Sequence, residues 1–226
     1  MADLATLVKP KTKRAFSKAP LPYFIAVAGG TGSGKTYVAK ELQRIDSQRI
    51  SVIGHDNYYK DRSDVPLKDR KKLNYDEPKA LDNDLFVAHL KAWKKGESVF
   101  IPQYDFSTHT RKKETREVKP TPIMIFDGIL ILSIPEIEKM FDLKIFIEVE
   151  ADIRMARRII RDVGERDRTF EESINQYLTS AQPMYDKYVE PGKDKADLTI
   201  NNNGTEEELN TALQVVKARI KEILKK

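Results

Sequence analysis

Residues 29–36 read Gly29-Gly30-Thr31-Gly32-Ser33-Gly34-Lys35-Thr36 and fit the pattern G-x-x-x-x-G-K-[ST]. That pattern is meaningful only between a strand and a helix, and both are predicted here. Tyr23-Phe24-Ile25-Ala26-Val27-Ala28 is a short apolar run that reads as a buried strand. Tyr37-Val38-Ala39-Lys40-Glu41-Leu42 follows with apolar residues at helical spacing. Glycines let the backbone close into a ring of N–H donors, and the helix N-terminus adds partial positive charge, so the ring accepts a polyphosphate. Lys35 is placed to reach the β- and γ-phosphates, and the Thr36 hydroxyl to ligate Mg²⁺. The expectation is a chain that binds a nucleoside triphosphate.

The rest of the chain repeats the strand–helix alternation. Further buried strands are predicted over 50–54, 123–126, 145–149 and 196–200, with helices after the first, fourth and last of the strands. Asp82 is the expected cap of a helix from Asn83 to Lys95. Thr169-Phe170-Glu171-Glu172 is a capping box opening a helix through Gln176 and Tyr177, and Thr205 caps a final one. This order predicts an α/β, doubly wound, mostly parallel sheet. Ser98 to Lys119 carries Pro102 and alternates weakly, which predicts a β-hairpin appended to that sheet rather than a core strand. One main domain over 21–226 is expected, with a hairpin at about 98–119 and a lid at about 152–170. Residues 60–72 are highly charged and read as a mobile segment.

Charge and composition narrow the partners. The formal net charge is +5, and Lys9, Lys11, Lys13, Arg14 and Lys18 against Asp3 alone account for four of those charges. The excess therefore belongs to a tail over residues 1–20, expected to be mobile, and does not suggest a body that holds nucleic acid. With no cysteine, thiol catalysis and disulfides are excluded. No apolar run reaches the length of a membrane span, and a soluble, cytoplasmic protein is the expectation.

Two acids end strands on the side where open parallel sheets bind ligands. Asp56 follows the strand at 50–54, and Asp127 ends Ile123-Met124-Ile125-Phe126 in the manner of a Walker-B carboxylate that holds a magnesium ion. Thr36 and Asp127 are thus the expected metal-side residues, and Asp56 points into the same crevice as the glycine loop. Arg154, Arg157, Arg158, Arg161 and Arg168 follow the fourth core strand, with 154, 158 and 161 on one helix face. A cationic lid closing over phosphates is one reading of them and a solvated face is the other. Cradle, metal site, carboxylate base and cationic lid are the parts that phosphoryl transfer needs. No Asn-Lys-x-Asp guanine signature is present, so a switch GTPase loses support. A regulator that keeps the scaffold without catalysis stays open beside a small-molecule kinase, although Lys35, Thr36, Asp56 and Asp127 are all intact.

From Phe24 to about Ile200 the sequence resembles the uridine kinase (uridine-cytidine kinase) family of P-loop nucleoside kinases. Besides the glycine loop, the resemblance rests on Asp56-Asn57-Tyr58-Tyr59, Asn74-Tyr75-Asp76-Glu77-Pro78 and Gln103-Tyr104-Asp105-Phe106-Ser107-Thr108-His109-Thr110-Arg111. Asp127-Gly128-Ile129-Leu130, Arg157-Arg158-Ile159-Ile160-Arg161-Asp162, Glu165-Arg166 and Gln176-Tyr177 complete it. It implies transfer of the γ-phosphate of ATP or GTP, with Mg²⁺, to the 5′-hydroxyl of uridine or cytidine, and a homotetramer. It further implies Asp56 as general base and near the metal, Lys35, Arg161 and Arg166 at the transferring phosphate, and Asp76 on the ribose hydroxyls. Tyr104, His109 and Gln176 would meet the pyrimidine, Tyr75 and Phe106 would wall it, and Arg158 and Arg168 would lie near the nucleoside. Three departures stand out. Asp127 replaces a glutamate, His55 replaces a glutamine, and Asn201-Asn202-Asn203 replaces Pro-Arg-Gly after the last strand. A relative acting on another acceptor, in the manner of phosphoribulokinase or pantothenate kinase, is the alternative within the same fold.

Overall fold

The computed structural model describes residues 8–10, 22–166 and 168–225. Among them the strands are β1 (Val8–Pro10), β2 (Tyr23–Gly29), β3 (Ile50–Gly54), β4 (Val99–Ile101), β5 (Tyr104–Asp105), β6 (Thr110–Arg111), β7 (Arg116–Val118), β8 (Ile123–Gly128), β9 (Leu143–Glu148) and β10 (Leu198–Asn201). Six of them form one sheet in the order β1-β10-β9-β2-β8-β3. Every neighbouring pair from β10 to β3 is parallel, and β1 joins antiparallel at the edge. The predicted doubly wound sheet is therefore the observed one, with strand limits moved by a residue or two.

Helices cover both faces, as parallel strands joined by crossovers require. The longer ones are α1 (Lys35–Gln43), α2 (Asn83–Lys94), α3 (Ala151–Glu165), α4 (Phe170–Gln176) and α5 (Glu206–Leu224). Side chains alternate across β2, so Phe24, Ala26 and Ala28 enter one core while Tyr23, Ile25 and Val27 enter the other. α5 closes the second core with Leu209, Leu213, Val216, Ile220 and Ile223, the stripe predicted for it. Its first turn carries the expected capping box, with Thr205 and Glu208 each accepting from the other's backbone N–H. In the first core Phe126 is fully buried, with its ring 5.0 Å from Phe24 and 5.6 Å from both Trp93 and Phe141.

The hairpin forms, in two parts. β4 pairs antiparallel with β7 and β5 with β6, separate from the main sheet. Pro102 and Gln103 interrupt the outgoing arm, where a proline cannot donate to the ladder. Arg111 fastens the tip to the body. Its Nε donates to the Tyr59 carbonyl at 2.7 Å, and Nη2 to the Tyr58 carbonyl at 3.1 Å and to Asp82 at 3.2 Å.

Three segments differ from the sequence prediction. Val8–Pro10, expected in a mobile tail, pairs with Leu198–Ile200; the remainder of that tail lies outside the described residues. The charged stretch after Lys60 holds a helical turn, Leu67–Arg70, tied by Arg70 donating to the carbonyls of Val65, Ser63 and Thr108. The helix predicted through Gln176 and Tyr177 continues to Val189 by way of two wide π-type turns, Tyr177–Ala181 and Tyr185–Val189. Pro183 lies between them and lacks an N–H to donate, which a wide turn accommodates. Replacing Phe126 by Ala is expected to cost about 3–5 kcal/mol of stability in urea unfolding, because four aromatic neighbours cannot collapse onto the void.

Candidate active site

Parallel pairing decides which groups meet at the carboxyl edge of the sheet. β2 lies between β8 and β9, with Val27 level with Asp127, and Gly54 of β3 is also level with Asp127. The glycine loop leaves β2, the Walker-type acid ends β8, and Asp56 leaves β3 in a 3₁₀ turn, His55–Tyr58, so all three open onto one edge.

The loop is a tight ring. Gly32 and Gly34 have φ of 77° and 85°, a region that costs other residues strain. A Cβ on Gly32 would also lie 2.3 Å from the Arg154 carbonyl oxygen, so α3 packs directly on the ring. At its base Lys35 is buried, 8% exposed. Burial lowers its pKa, while Asp56 and Asp127 act in the opposite direction. The Thr36 hydroxyl donates to Asp127 Oδ2 at 2.6 Å. Burial raises the Asp127 pKa, and the Thr36 bond and Lys35 offset part of that. Among the described residues no group of three or more His, Cys, Asp or Glu could hold a metal by itself. One hydroxyl and two carboxylates form an oxygen-only set that suits Mg²⁺, which keeps waters and shares phosphate oxygens rather than entering an all-protein cage.

Two cavities meet beside this ring. A trough of about 620 Å³ runs past Gly32, Gly34, Lys35, Thr36, Asp56, Asp127, Arg157, Arg161 and Arg166. A narrower pocket, about 60 Å³, is lined by Thr31, Lys35, Asp56, Tyr59, Tyr75, Asp76, Tyr104, Phe106, His109, Ile129, Arg158, Arg161, Arg166, Arg168 and Gln176. Every residue expected on the nucleoside lines that pocket. Lys35, Asp56, Arg161 and Arg166, the expected catalytic set, line both cavities, and so does Phe106. A wider vestibule of about 770 Å³ adjoins the pocket and shares Arg168 and Gln176 with it.

Three elements far apart in sequence shape the pocket walls. His109 adopts φ 52° at the hairpin tip and stacks on Tyr75 with ring centroids 5.0 Å apart. Its pKa is lowered to about 4 by burial first, then by Arg168 and Lys71, so the ring is neutral near pH 7 and offers one donor and one acceptor. Arg158 donates to Gln176 Oε1 at 2.7 Å and approaches Asp76 at 3.7 Å. Ser180, in the first wide turn, donates to Asn74 at 3.0 Å and to Asp76 at 3.3 Å. The Arg166 guanidinium lies over the Phe106 ring, 4.6 Å from its centroid.

The arginine face divides. Arg154 is 2% exposed, stacks 3.7 Å from the Tyr185 ring centroid, and donates to the Val149 carbonyl and to Gln182. It clamps α3 to the wide-turn helix and also stays beside the glycine ring, where its Nη1 is buried without a hydrogen-bond partner and would lie 2.9 Å from a Cβ on Gly30. The asparagines that end and follow β10 also have structural work. Asn202 donates its amide to the Ser33 carbonyl at 2.9 Å, and Asn203 accepts from the Glu150 N–H at 2.8 Å. Beside them a cleft of about 230 Å³ is lined by Gly34, Tyr37, Arg157, Asn202, Gly204 and Glu206. Sequence reading did not assign Ser180 or Asp162 any role; Ser180 sits in no pattern that marks function, and Asp162 entered only as the last residue of a stretch that carries the family resemblance.

A glycine ring at the end of β2, a buried lysine and a hydroxyl–carboxylate pair beneath it, and a cationic cover above it define a P-loop phosphotransferase. Residues 24–208 match the model of the phosphoribulokinase/uridine kinase family, and the chain belongs to that family. It is 45% identical over 206 residues to a uridine kinase of Clostridium perfringens, covering 91% of this chain and 98% of that protein. A uridine kinase of Chloroflexus aurantiacus is 45% identical over 204 residues, covering 90% and 96%. The fold is also that of phosphoribulokinase from Rhodobacter spheroides, with TM-score 0.60, 14% identity, and coverage of 79% of this chain and 69% of that one. No helix among the described residues is long and apolar enough to cross a membrane.

Gly32→Ala is expected to weaken Mg-ATP binding by about tenfold or more in calorimetry, since its Cβ would displace α3 from the ring. A second expectation concerns pH. His55 and His109 both titrate at about 4 when folded against 6.5 unfolded, because burial disfavours their charged forms. Between these values the unfolded chain binds more protons, so stability falls as pH drops through the window and the fall ends below it. In urea melts at neutral pH and near pH 4.5, His109→Gln is expected to shrink that fall.

Proposed function

We propose that the protein is a nucleoside kinase that transfers the γ-phosphate of ATP or GTP to the 5′-hydroxyl of uridine or cytidine. The observation that carries this reading is the junction of the two cavities. The residues shared by the phosphate trough and the aromatic pocket are the ones phosphoryl transfer needs between donor and acceptor.

In this reading the donor's phosphates lie in the glycine ring with Lys35 on the β- and γ-oxygens, and its base in the cleft beside Tyr37, Asn202 and Gly204. Thr36 and Asp127, with Asp56 across the trough, would hold a magnesium ion, which would supply positive charge to the donor's phosphates. The acceptor's ribose sits on Asp76, whose two oxygens suit a pair of hydroxyls. Its pyrimidine lies among Tyr104, Phe106, His109 and Gln176, with the Tyr75–His109 stack as one wall. A neutral histidine with one donor and one acceptor tolerates both the O4 of uracil and the amino group of cytosine. Asp56 takes the proton from O5′ as that oxygen attacks the γ-phosphorus; the bond to the β-bridging oxygen breaks, and the nucleoside diphosphate leaves. Arg161 and Arg166 stabilise the charge on the transferred group, while Arg158 and Arg168 hold the nucleoside side of the pocket.

An acceptor panel with Mg-ATP and Mg-GTP tests the assignment, using uridine, cytidine, ribulose 5-phosphate and pantothenate. Phosphorylation of either nucleoside is the expected result. Turnover of only the last two would reject it in favour of another acceptor, and turnover of none with intact nucleotide binding would favour a non-catalytic role. Asp56→Asn is expected to lower kcat by roughly 10²–10⁴ with both ligands still bound, the range a general base contributes. Unchanged turnover would remove Asp56 from that role.

A further inference from the structure

Four arginines of the cationic cover converge on one carboxylate. Asp162, in the last turns of α3, is fully buried at 0% exposure. Its Oδ1 accepts from Arg161 Nε at 3.0 Å and Nη2 at 2.7 Å, with Arg166 Nε at 3.7 Å. Oδ2 accepts from Arg158 Nε at 3.3 Å and lies 3.8 Å from Arg168 Nη1. The same residue's carbonyl accepts from the backbone N–H groups of Arg166 at 3.2 Å and Arg168 at 3.3 Å. Asp162 therefore ends the helix and turns the chain so that the last two arginines come back beside the first two.

The charge count is lopsided. Among the described residues, Arg158 alone of the four makes a second ion pair within 4 Å, to Asp76; Asp56 acts on Arg166, and Asp76 and Glu172 on Arg168, from farther away. Among the described residues, two carboxylates within 4 Å stand against four guanidiniums, so the cluster keeps an excess of positive charge directed at the cavities. Arg161 Nη2 also approaches the Thr31 hydroxyl at 3.5 Å, which fixes that side chain over the glycine ring. Burial would raise the Asp162 pKa, yet Arg161 and Arg158 outweigh it and hold it below the usual carboxylate range. Without this anion the guanidiniums would face one another at close range, and each long side chain would gain by turning outward to water.

We propose that Asp162 is a positioning residue for phosphoryl transfer: it is the fixed counter-ion that aims Arg161 and Arg166 at the glycine ring before a polyphosphate arrives. The inference rests on the phosphotransfer reading above. An incoming γ-phosphate then meets guanidiniums whose ordering has already been achieved in folding, which is the condition under which such donors stabilise a transition state. Asp162 touches neither substrate; it acts through its arginines.

The test uses the full chain, with Asp162→Asn, Arg161→Ala and the double variant, read by steady-state kinetics with Mg-ATP and uridine and by calorimetry with Mg-tripolyphosphate. Asp162→Asn is expected to lower kcat about 20-fold or more and to weaken tripolyphosphate about fivefold or more, at temperatures where both proteins are folded. In the Arg161→Ala background the same change is expected to cost under about threefold, because its effect passes through Arg161. A lowered melting temperature with kcat and tripolyphosphate affinity unchanged would reduce Asp162 to a stability role and overturn the proposal. So would tighter tripolyphosphate binding, or a full-sized kcat loss in the Arg161→Ala background. Should Asp162→Asn not fold, Asp162→Glu keeps the charge but shifts it by a methylene; it is expected to weaken tripolyphosphate and lower kcat about fivefold. A Glu variant equal to the parent would count against the positioning role. If the unmodified protein phosphorylates no nucleoside, the kinase reading fails, and the tripolyphosphate measurements still decide what Asp162 does.

Discussion

Level pairing of β2 with β8 is the constraint from which the site follows. Val27 lies beside Asp127 because both strands run parallel and in that register. A shift of one residue would turn Asp127 to the opposite face, since side chains alternate along a strand. The glycine ring needs β2 buried on both faces, and its seven residues are buried throughout. Hydrophobic packing thus fixes the distance between a hydroxyl and a carboxylate, seen as the 2.6 Å bond from Thr36 to Asp127. The chemistry at the edge inherits its geometry from the core.

Charge is arranged in two tiers around that edge. Beneath the ring, burial lowers the pKa of Lys35 and raises that of Asp127, and the attraction between the two opposes both shifts. Above it, arginines outnumber the buried acid that gathers them. A polyphosphate bound between the tiers would complete a charge balance that the protein alone leaves open.

The parts of the site that were legible in the sequence are those made by neighbours in the chain. The glycine loop announces its strand and helix because spacing and φ demands are local, and the Asp82, Thr169 and Thr205 caps are legible for the same reason. Asp76, Tyr104, His109 and Gln176 carry no such signal. They come from a turn, a hairpin and a helix that meet only in the folded chain, and resemblance to a family was needed to group them. Helical periodicity put Arg154 with Arg158 and Arg161, but nothing local reveals that Arg154 also stacks on Tyr185. The wide turns beyond Tyr177 escaped notice because a hydrophobic period of 3.6 does not describe them. Val8–Pro10 escaped because so short a strand is recognisable only by its partner.

Asn202 joins two regions that sequence would treat as independent. Its amide spans from the segment after β10 to the carbonyl of Ser33 inside the ring, and Gly34 leaves no room between them for a side chain. Whatever the cleft beside Gly204 accommodates is therefore gripped by the same rigid unit as whatever occupies the ring. Evolution or an engineer retuning that cleft would move the ring along with it, and preference for one occupant would be hard to change without altering the hold on the other.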